Sequence, residues 1–388
     1  MTREVEIPPH PAGTLVALAG GGYTPHAAVA DLIDNAIGGG AQTIRIHLDI
    51  SDGGVLVIED DGRGMTEEAL TEAMRVSTGW GTERTAMDLG RFGTGMKAAA
   101  LYLSGVGRFT VISAPGDGEG AAATMDLRRM EQQGRWVIEV ERRAGLRRGS
   151  RVEIAGPVLP HTEGEASAAL MALSGHLRTT FAEHLGRGLV IRLQGRPLTP
   201  WRLCSDDLPG VSRLSTRTMD AGRVRVTAFI LPTHTDDPLI EGPLGRREHA
   251  GFHVHRSGRA ITSGGWLGLN PGRRNAVARD RVRLLVEIGP ELDEEWRVTL
   301  PKSGCTLPQR LRPRFRKLLD EVLLRAGRQR AVRSDVGGRR VRPGGDLWDG
   351  RGHILRDHPL VQKVLASSLD VHAVEQLLVT LEGEHRND

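Results

Sequence analysis

Cysteine is scarce: Cys204 and Cys305 are the only two in 388 residues. That excludes a disulfide framework and a CxxC metal site, and it suits a reducing compartment. No run of about 18 apolar residues occurs, so no membrane-spanning helix is expected. The N-terminus, MTREVEIPPHPAG, has no apolar core of the signal-peptide kind. These absences together predict a cytoplasmic protein. Lysine is scarce too. Lys97, Lys302, Lys317 and Lys363 are the only lysines among 52 basic residues, so each is a candidate for a task that arginine cannot fill.

What is present suits a soluble globular chain of about two or three domains, with 39% hydrophobic and 26% charged residues. The net charge of +4 conceals an asymmetry. Residues 1–100 hold 14 acidic against 7 basic side chains, whereas residues 309–342 hold 12 basic against 3 acidic. One end suits a metal-bound ligand and the other a polyanion. Phe315 is the single aromatic of the basic stretch, so the aromatic interleaving of single-strand binders is missing there.

Hydrophobic periodicity predicts a helix over 24–37, with Thr24 as N-cap, Pro25 in the first turn, and Gly38–Gly40 as its end. Strands are expected at 43–50 and 55–60, a short helix at 66–74 and a second helix at 96–105. Four strand-like runs follow up to Gly156. The stretch 157–166 reads as a linker. Beyond it come a helix near 166–187, strands at 189–193, 223–231, 251–261 and 282–289, a loop over 232–250, a basic helix at about 308–333, and a linker over 334–346.

Three motifs carry chemistry. In DLIDNAIGGG, Asp31 and Asn35 are four apart and share a helix face, where a carboxylate and an amide can orient and coordinate. Asp34 reads as a surface charge near the helix C-terminus. In EDDGRGM, Asp60 ends a strand ahead of Gly62, Gly64 and Met65, and can accept from an exocyclic amine. In GRFGTGMK, the glycines Gly90, Gly93 and Gly95 lead into a helix at Lys97, an arrangement able to cradle phosphates. Neither a Walker A nor a dinucleotide fingerprint is met. RRGSRVEI adds Gly149 and Ser150 at the start of a strand. His253 and His255 alternate on one strand without a third metal ligand and read as structural.

The order and spacing of these motifs over about residues 15–156 resemble the GHKL ATPase superfamily of gyrase, heat-shock chaperones, histidine kinases and MutL. The resemblance implies a Bergerat-type α/β sandwich that binds ATP with Mg²⁺. Asn35 would be the metal ligand and Asp60 the adenine reader. Gly62, Gly64, Met65, Gly90, Gly93 and Gly95 would shape pocket and lid, and Lys97 would contact phosphate or support the lid. Ser150 would stand near the adenine, and Asp31 at the place of the water-activating glutamate. Aspartate is one methylene shorter than glutamate, so either the backbone sits closer, or a different group helps, or hydrolysis is slow.

In gyrase, MutL and MORC-type relatives a βαβ transducer follows and sends a lysine to the γ-phosphate. EWRVTLPKSGCTLP offers Lys302 for this. The expected organisation is an ATP-binding domain over 1–156, a transducer-like domain over 157–307, and a basic helical segment, linker and tail over 308–388. AVADLIDNAI, DLGRFGTGMKAAA, GFHVHRSGRAI and WRVTLPKSG are most similar to bacterial MORC-like ATPases. That implies a clamp that homodimerises on ATP and acts on DNA, through the 309–342 stretch here, sometimes in restriction or phage defence. A chaperone for protein clients, a histidine kinase and a non-hydrolysing ATP sensor are the alternatives. The kinase reading lacks a phosphoacceptor histidine on a helix upstream of Asp31.

Overall fold

The computed structural model describes residues 4, 5, 7, 9–51, 54–76, 94–156, 158, 160, 162–205, 210–233, 240–272, 276–299 and 301–328, with scattered positions between 354 and 379. Gly90 and Gly93 lie outside the described residues, as do the expected linker at 334–346 and most of the tail.

Eight strands form the first sheet: β1 (Thr43–Asp49), β2 (Val55–Asp60), β3 (Arg108–Ala114), β4 (Gly118–Asp126), β5 (Glu139–Leu146), β6 (Gly149–Ala155), β7 (Val190–Leu193) and β8 (Arg196–Pro197). Their order is β5-β4-β3-β6-β2-β1-β7-β8, and β1 with β7 is the one parallel pair. Strand β1 shows why one face is covered: Ile44, Ile46 and Leu48 are buried while Arg45, His47 and Asp49 are exposed, the two-residue period of a half-buried strand. The layer of helices comprises α1 (Pro11–Ala19), α2 (Pro25–Gly38), α3 (Glu67–Met74), α4 (Gly95–Leu103), α5 (Leu127–Gln133), α6 (Glu163–Thr180) and α7 (Ala182–Gly186).

Helix α2 starts as its sequence predicts, with the Thr24 side chain accepting from Ala27 N and Pro25 in the first turn. It packs against α4, and small residues on both helices (Ala27, Ala28 and Ala30; Ala98, Ala99 and Ala100) are sealed from solvent. Helix α1 has no counterpart in the periodicity reading. His10 caps it by accepting from Gly13 N, in a stretch whose prolines suggest no helix.

The first core extends past Gly156, the expected boundary. Leu173, Leu177, Phe181, Leu185, Ile191 and Leu193 join the same apolar cluster as α2. Strand β7 pairs with the free side of β1. Alternation in a four-residue run identifies a strand but not the sheet it enters.

The second sheet holds β9 (Ser212–Arg213), β10 (Arg217–Met219), β11 (Val224–Ile230), β12 (Gly251–Arg256), β13 (Arg259–Ser263) and β14 (Val282–Ile288), in the order β10-β11-β14-β12-β13 with β9 also on β11. Helix α8 (Ala276–Arg281) precedes β14, which runs parallel to β12. Helix α9 (Arg312–Arg328) does not stand apart as a basic segment. Its Phe315, Leu318, Leu319, Val322 and Ala326 are buried against Phe252, Leu284 and Trp296, and the Phe252 and Phe315 ring centroids lie 5.6 Å apart. Its arginines line the rim of that contact. Arg310, just before α9, pairs with Asp220 and Glu295, while Arg312 and Arg316 donate to the Gly268 and Asn270 carbonyls. Among the described residues no helix is long and apolar enough to cross a membrane.

The two sheets meet where α6 and α7 pack against β13. The β12–β13 turn, Ser257-Gly258, has both residues left-handed at φ 50° and 80°, the two-residue geometry that matches strand twist. It delivers Arg259 to the base of α2.

Candidate functional site

Helix α2 explains its own polar cluster. From Ala27 to Ala36 every residue is buried except Asn35. The Asn35 Nδ2 donates to the Asp31 carbonyl at 2.9 Å, which leaves the amide oxygen as the end available to a cation. Asp31 and Asp34 are 2% and 1% exposed, so Asp34 is not the surface charge expected of it. The helix is covered on the side its last turn presents by residues more than 200 positions away, a contact that periodicity does not reveal.

Those residues are Arg259 and Lys302. Lys302 Nζ donates to Asp31 Oδ1 at 3.0 Å and to Asp34 Oδ2 at 2.7 Å. Arg259 Nη1 lies 3.2 Å from Asp34 Oδ2, and its Nη2 lies 3.7 Å from Asp31 Oδ1. Two carboxylates thus meet two cations in a site where both carboxylates and Arg259 are buried, so that an unpaired charge would be costly. Lys302 is held in a left-handed conformation, φ 47°, which costs a non-glycine residue roughly 1 kcal/mol. The strain is imposed by the tight loop around it, where Thr299 O accepts from Lys302 N and Thr299 N donates to Gly304 O.

Tyr23 completes the first carboxylate. Its hydroxyl donates to Asp31 Oδ2 at 2.7 Å, and burial together with the neighbouring Asp31 charge raises its pKa far out of the physiological range, so it remains a donor. Its ring stands 6.0 Å from that of Tyr102, the only other tyrosine. Gly95 opens α4 on the other side of Asp31: a Cβ there would lie 3.5 Å from Asp31 Oδ2. The first turn of α4, whose N–H groups are available to anions, stands directly beside the carboxylate.

At the far end, Asp60, Ser150 and Ser113 lie abreast across β2, β6 and β3. Asp60 Oδ1 accepts from Gly62 N at 2.8 Å. Burial raises the Asp60 pKa, and N–H bonds from Gly62 and Ser150 work against that rise. Two glycines are required by close approach. Gly64, at φ 64°, would put a Cβ 1.8 Å from the Ala114 oxygen, and Gly149, at φ 128°, would put one 2.0 Å from the Asp60 oxygen. Ser113, which carried no signal in the sequence, ties this end together. Its hydroxyl donates to Gly149 O and accepts from Met65 N, each at 2.9 Å. With that proton committed, Ser150 is the donor in the 2.9 Å contact between the two hydroxyls, and its remaining lone pairs are acceptors.

Lys97 does not point at this cluster. Its ammonium is buried and donates to Ala73 O in the last turn of α3 at 2.7 Å, and burial lowers its pKa to about 8. His253 is buried with Nε2 at 2.8 Å from the His249 carbonyl, in keeping with a structural role, and His255 faces Glu183 at 3.5 Å. Among the described residues no group of three or more His, Cys, Asp or Glu side chains could hold a metal by itself.

The arrangement has an acceptor row at one end, a helix N-terminus and an exposed amide between, and a carboxylate with cations at the other. Residues 23–150 match the family model described as Histidine kinase-, DNA gyrase B-, and HSP90-like ATPase. The matched segment opens on Tyr23 and closes on Ser150, two residues placed in this cluster. No curated protein matches the chain. Residues 23–150 are therefore similar to that ATPase family, and the mixed α/β architecture of the first sheet and its helices agrees with such a sandwich.

Proposed function

We propose that the protein binds and slowly hydrolyses ATP, and that it works as a nucleotide-driven homodimeric clamp on DNA of the bacterial MORC-like kind, in a setting such as restriction or phage defence. The observation that carries the reading is Lys302. A residue 271 positions away in sequence reaches the one carboxylate that the family pattern assigns to water activation.

In this reading adenine lies against the Asp60–Ser150 row. Asp60 and Ser150 accept from the exocyclic amine, a pattern that guanine cannot satisfy because it presents a carbonyl there. The phosphates lie against the α4 N-terminus, beside Gly95. Asn35 would hold a Mg²⁺ that arrives with the triphosphate, since that ion accepts a single protein ligand readily. Such an ion would supply charge neutralisation for the triphosphate. Asp31 takes the proton of the attacking water, with its carboxylate orientation fixed by Tyr23. The closeness of Gly95 to Asp31 offsets the missing methylene, because the helix that holds the phosphates stands that near.

The DNA part rests on the basic balance of residues 309–342. Arg310, Arg312 and Arg316 are engaged in holding α9, so the contact is assigned to Arg314, Lys317 and the basic residues from Arg328 onward. The test is ATP turnover with and without duplex DNA, with mass measured in parallel. Hydrolysis that rises with DNA, and a mass that doubles with a non-hydrolysable ATP analogue, are the expected results. Turnover indifferent to DNA together with suppressed aggregation of a client protein would replace the clamp by a chaperone.

A further inference from the structure

The buried ion cluster contains more charge than the ATPase reading uses. Asp34 and Arg259 have no part in adenine, metal or water chemistry, yet each is 1% exposed. Lys302 is different: its side chain is 10% exposed while that of Arg259 is 1%. One cation is sealed in and the other stands at the mouth.

The charge count gives the two a different fate. Asp31 and Asp34 face Lys302 and Arg259, two acidic against two basic side chains. Asp31 is masked in this arrangement, with Oδ1 accepting from Lys302 and Oδ2 from Tyr23. Each oxygen then already accepts one strong hydrogen bond, so a water reaching Oδ1 competes with the lysine cation. A triphosphate arriving at the α4 N-terminus offers Lys302 a competing anion. The lysine can leave only if Asp34 keeps a partner of its own, because an uncompensated buried carboxylate is costly. Arg259 is that partner. Its planar guanidinium spans both carboxylates from the turn that joins β12 to β13, and packing of β13 on α6 and α7 fixes it there. Asp34 Oδ1 and Arg259 Nε and Nη1 find no hydrogen-bond partner among the described residues, so the cluster is not saturated in this arrangement.

We propose that Arg259 is a positioning residue for hydrolysis: by neutralising Asp34 it lets Lys302 exchange from the two carboxylates to the terminal phosphate, which unmasks Asp31. The inference rests on the ATPase reading and adds a residue from the second sheet to it. The same contact makes docking of the second domain a condition for turnover.

The test compares four full-length proteins: wild type, Arg259→Gln, Arg259→Lys and the double variant Asp34→Asn/Arg259→Gln. ATP affinity is read by calorimetry, turnover by phosphate release and folding by thermal melting. In Arg259→Gln, Lys302 is the only cation left for two carboxylates and is retained. Turnover should fall tenfold or more, while ATP affinity, set at the adenine and metal end, stays within about threefold. Arg259→Lys keeps the charge and should restore most of the turnover. The double variant removes the charge that traps Lys302 and should also recover turnover, although it lacks one more native contact than the single variant. A folded double variant as slow as Arg259→Gln, or a folded Arg259→Gln with wild-type turnover, overturns the positioning role and leaves ATP hydrolysis standing. If Arg259→Gln does not fold, the other two variants decide by the same criteria. A wild type that bound no ATP would overturn both readings together.

Discussion

Asp31, Asn35 and Asp60 differ in burial and partners, so their substitutions separate. Asn35 is exposed and its amide bonds only locally. Asn35→Ala should lose Mg-ATP affinity by calorimetry with no change in melting temperature. An unaltered affinity would remove it from the site. Asp31→Asn should still bind ATP but lose about a hundredfold or more in turnover, since an amide cannot take the proton that a general base accepts. Normal hydrolysis by that variant would place the base elsewhere, with Asp34 the next candidate. Asp60→Asn would present N–H toward the adenine amine and should weaken ATP binding without slowing the bound substrate. Equal affinity of the wild type for GTP would contradict the acceptor row of Asp60 and Ser150.

The scale of elements is governed by helices that join layers. Helix α9 contributes Phe315, fully buried between Phe252 and Trp296. Phe315→Ala should cost about 3–5 kcal/mol in chemical denaturation, the range for a large aromatic removed from a close-packed core. A loss under about 1 kcal/mol would mean that α9 is peripheral. Helices α2 and α6 meet at His26 and His176, whose rings lie 5.8 Å apart. Burial lowers the His176 pKa to about 4. Its folded pKa lies below its unfolded value near 6.5, so the stability it contributes is present above pH 6.5 and lost as pH falls toward 4. The slope is about 1.4 kcal/mol per pH unit. Melting curves between pH 7.5 and 4.5 should show that decline, and His176→Gln should flatten it. A variant with the wild-type slope would assign the decline to other buried histidines.

At the scale of the whole molecule, charge is divided between an acidic first hundred residues and a basic stretch over 309–342. If the basic end contacts DNA phosphates, log affinity should fall linearly with log salt, by about 0.9 for each phosphate neutralised. Replacing Arg328, Arg330, Arg333, Arg339, Arg340 and Arg342 with Gln should flatten that line and leave ATP binding intact. A slope unchanged in this variant would move the DNA contact away from the segment. Substituting Arg310, Arg312 and Arg316 should instead lower the melting temperature, because those side chains fasten α9 to its neighbours.

The sequence by itself determined whatever depends on near neighbours. The Thr24 cap and glycine end of α2, the two strands leading up to Asp60 and the helix just after Gly95 could all be read from period and spacing, because caps, turns and alternation act within a few residues. Asp31, Asn35, Asp60 and Ser150 became candidates through the order of their motifs and its resemblance to a known family, and Lys302 through rarity and a similar resemblance. Only the tertiary structure decided what depends on distant partners. It moved β7 into the first sheet and made α9 a core helix, because a periodic pattern specifies an apolar face but not the surface that will cover it. It buried Asp34, gave Tyr23 and Ser113 their bonds, and brought Arg259 to α2 from 225 positions away. A carboxylate on a helix looks the same in sequence whether water or an arginine faces it. Which of the two it meets is fixed by the docking of one sheet on another.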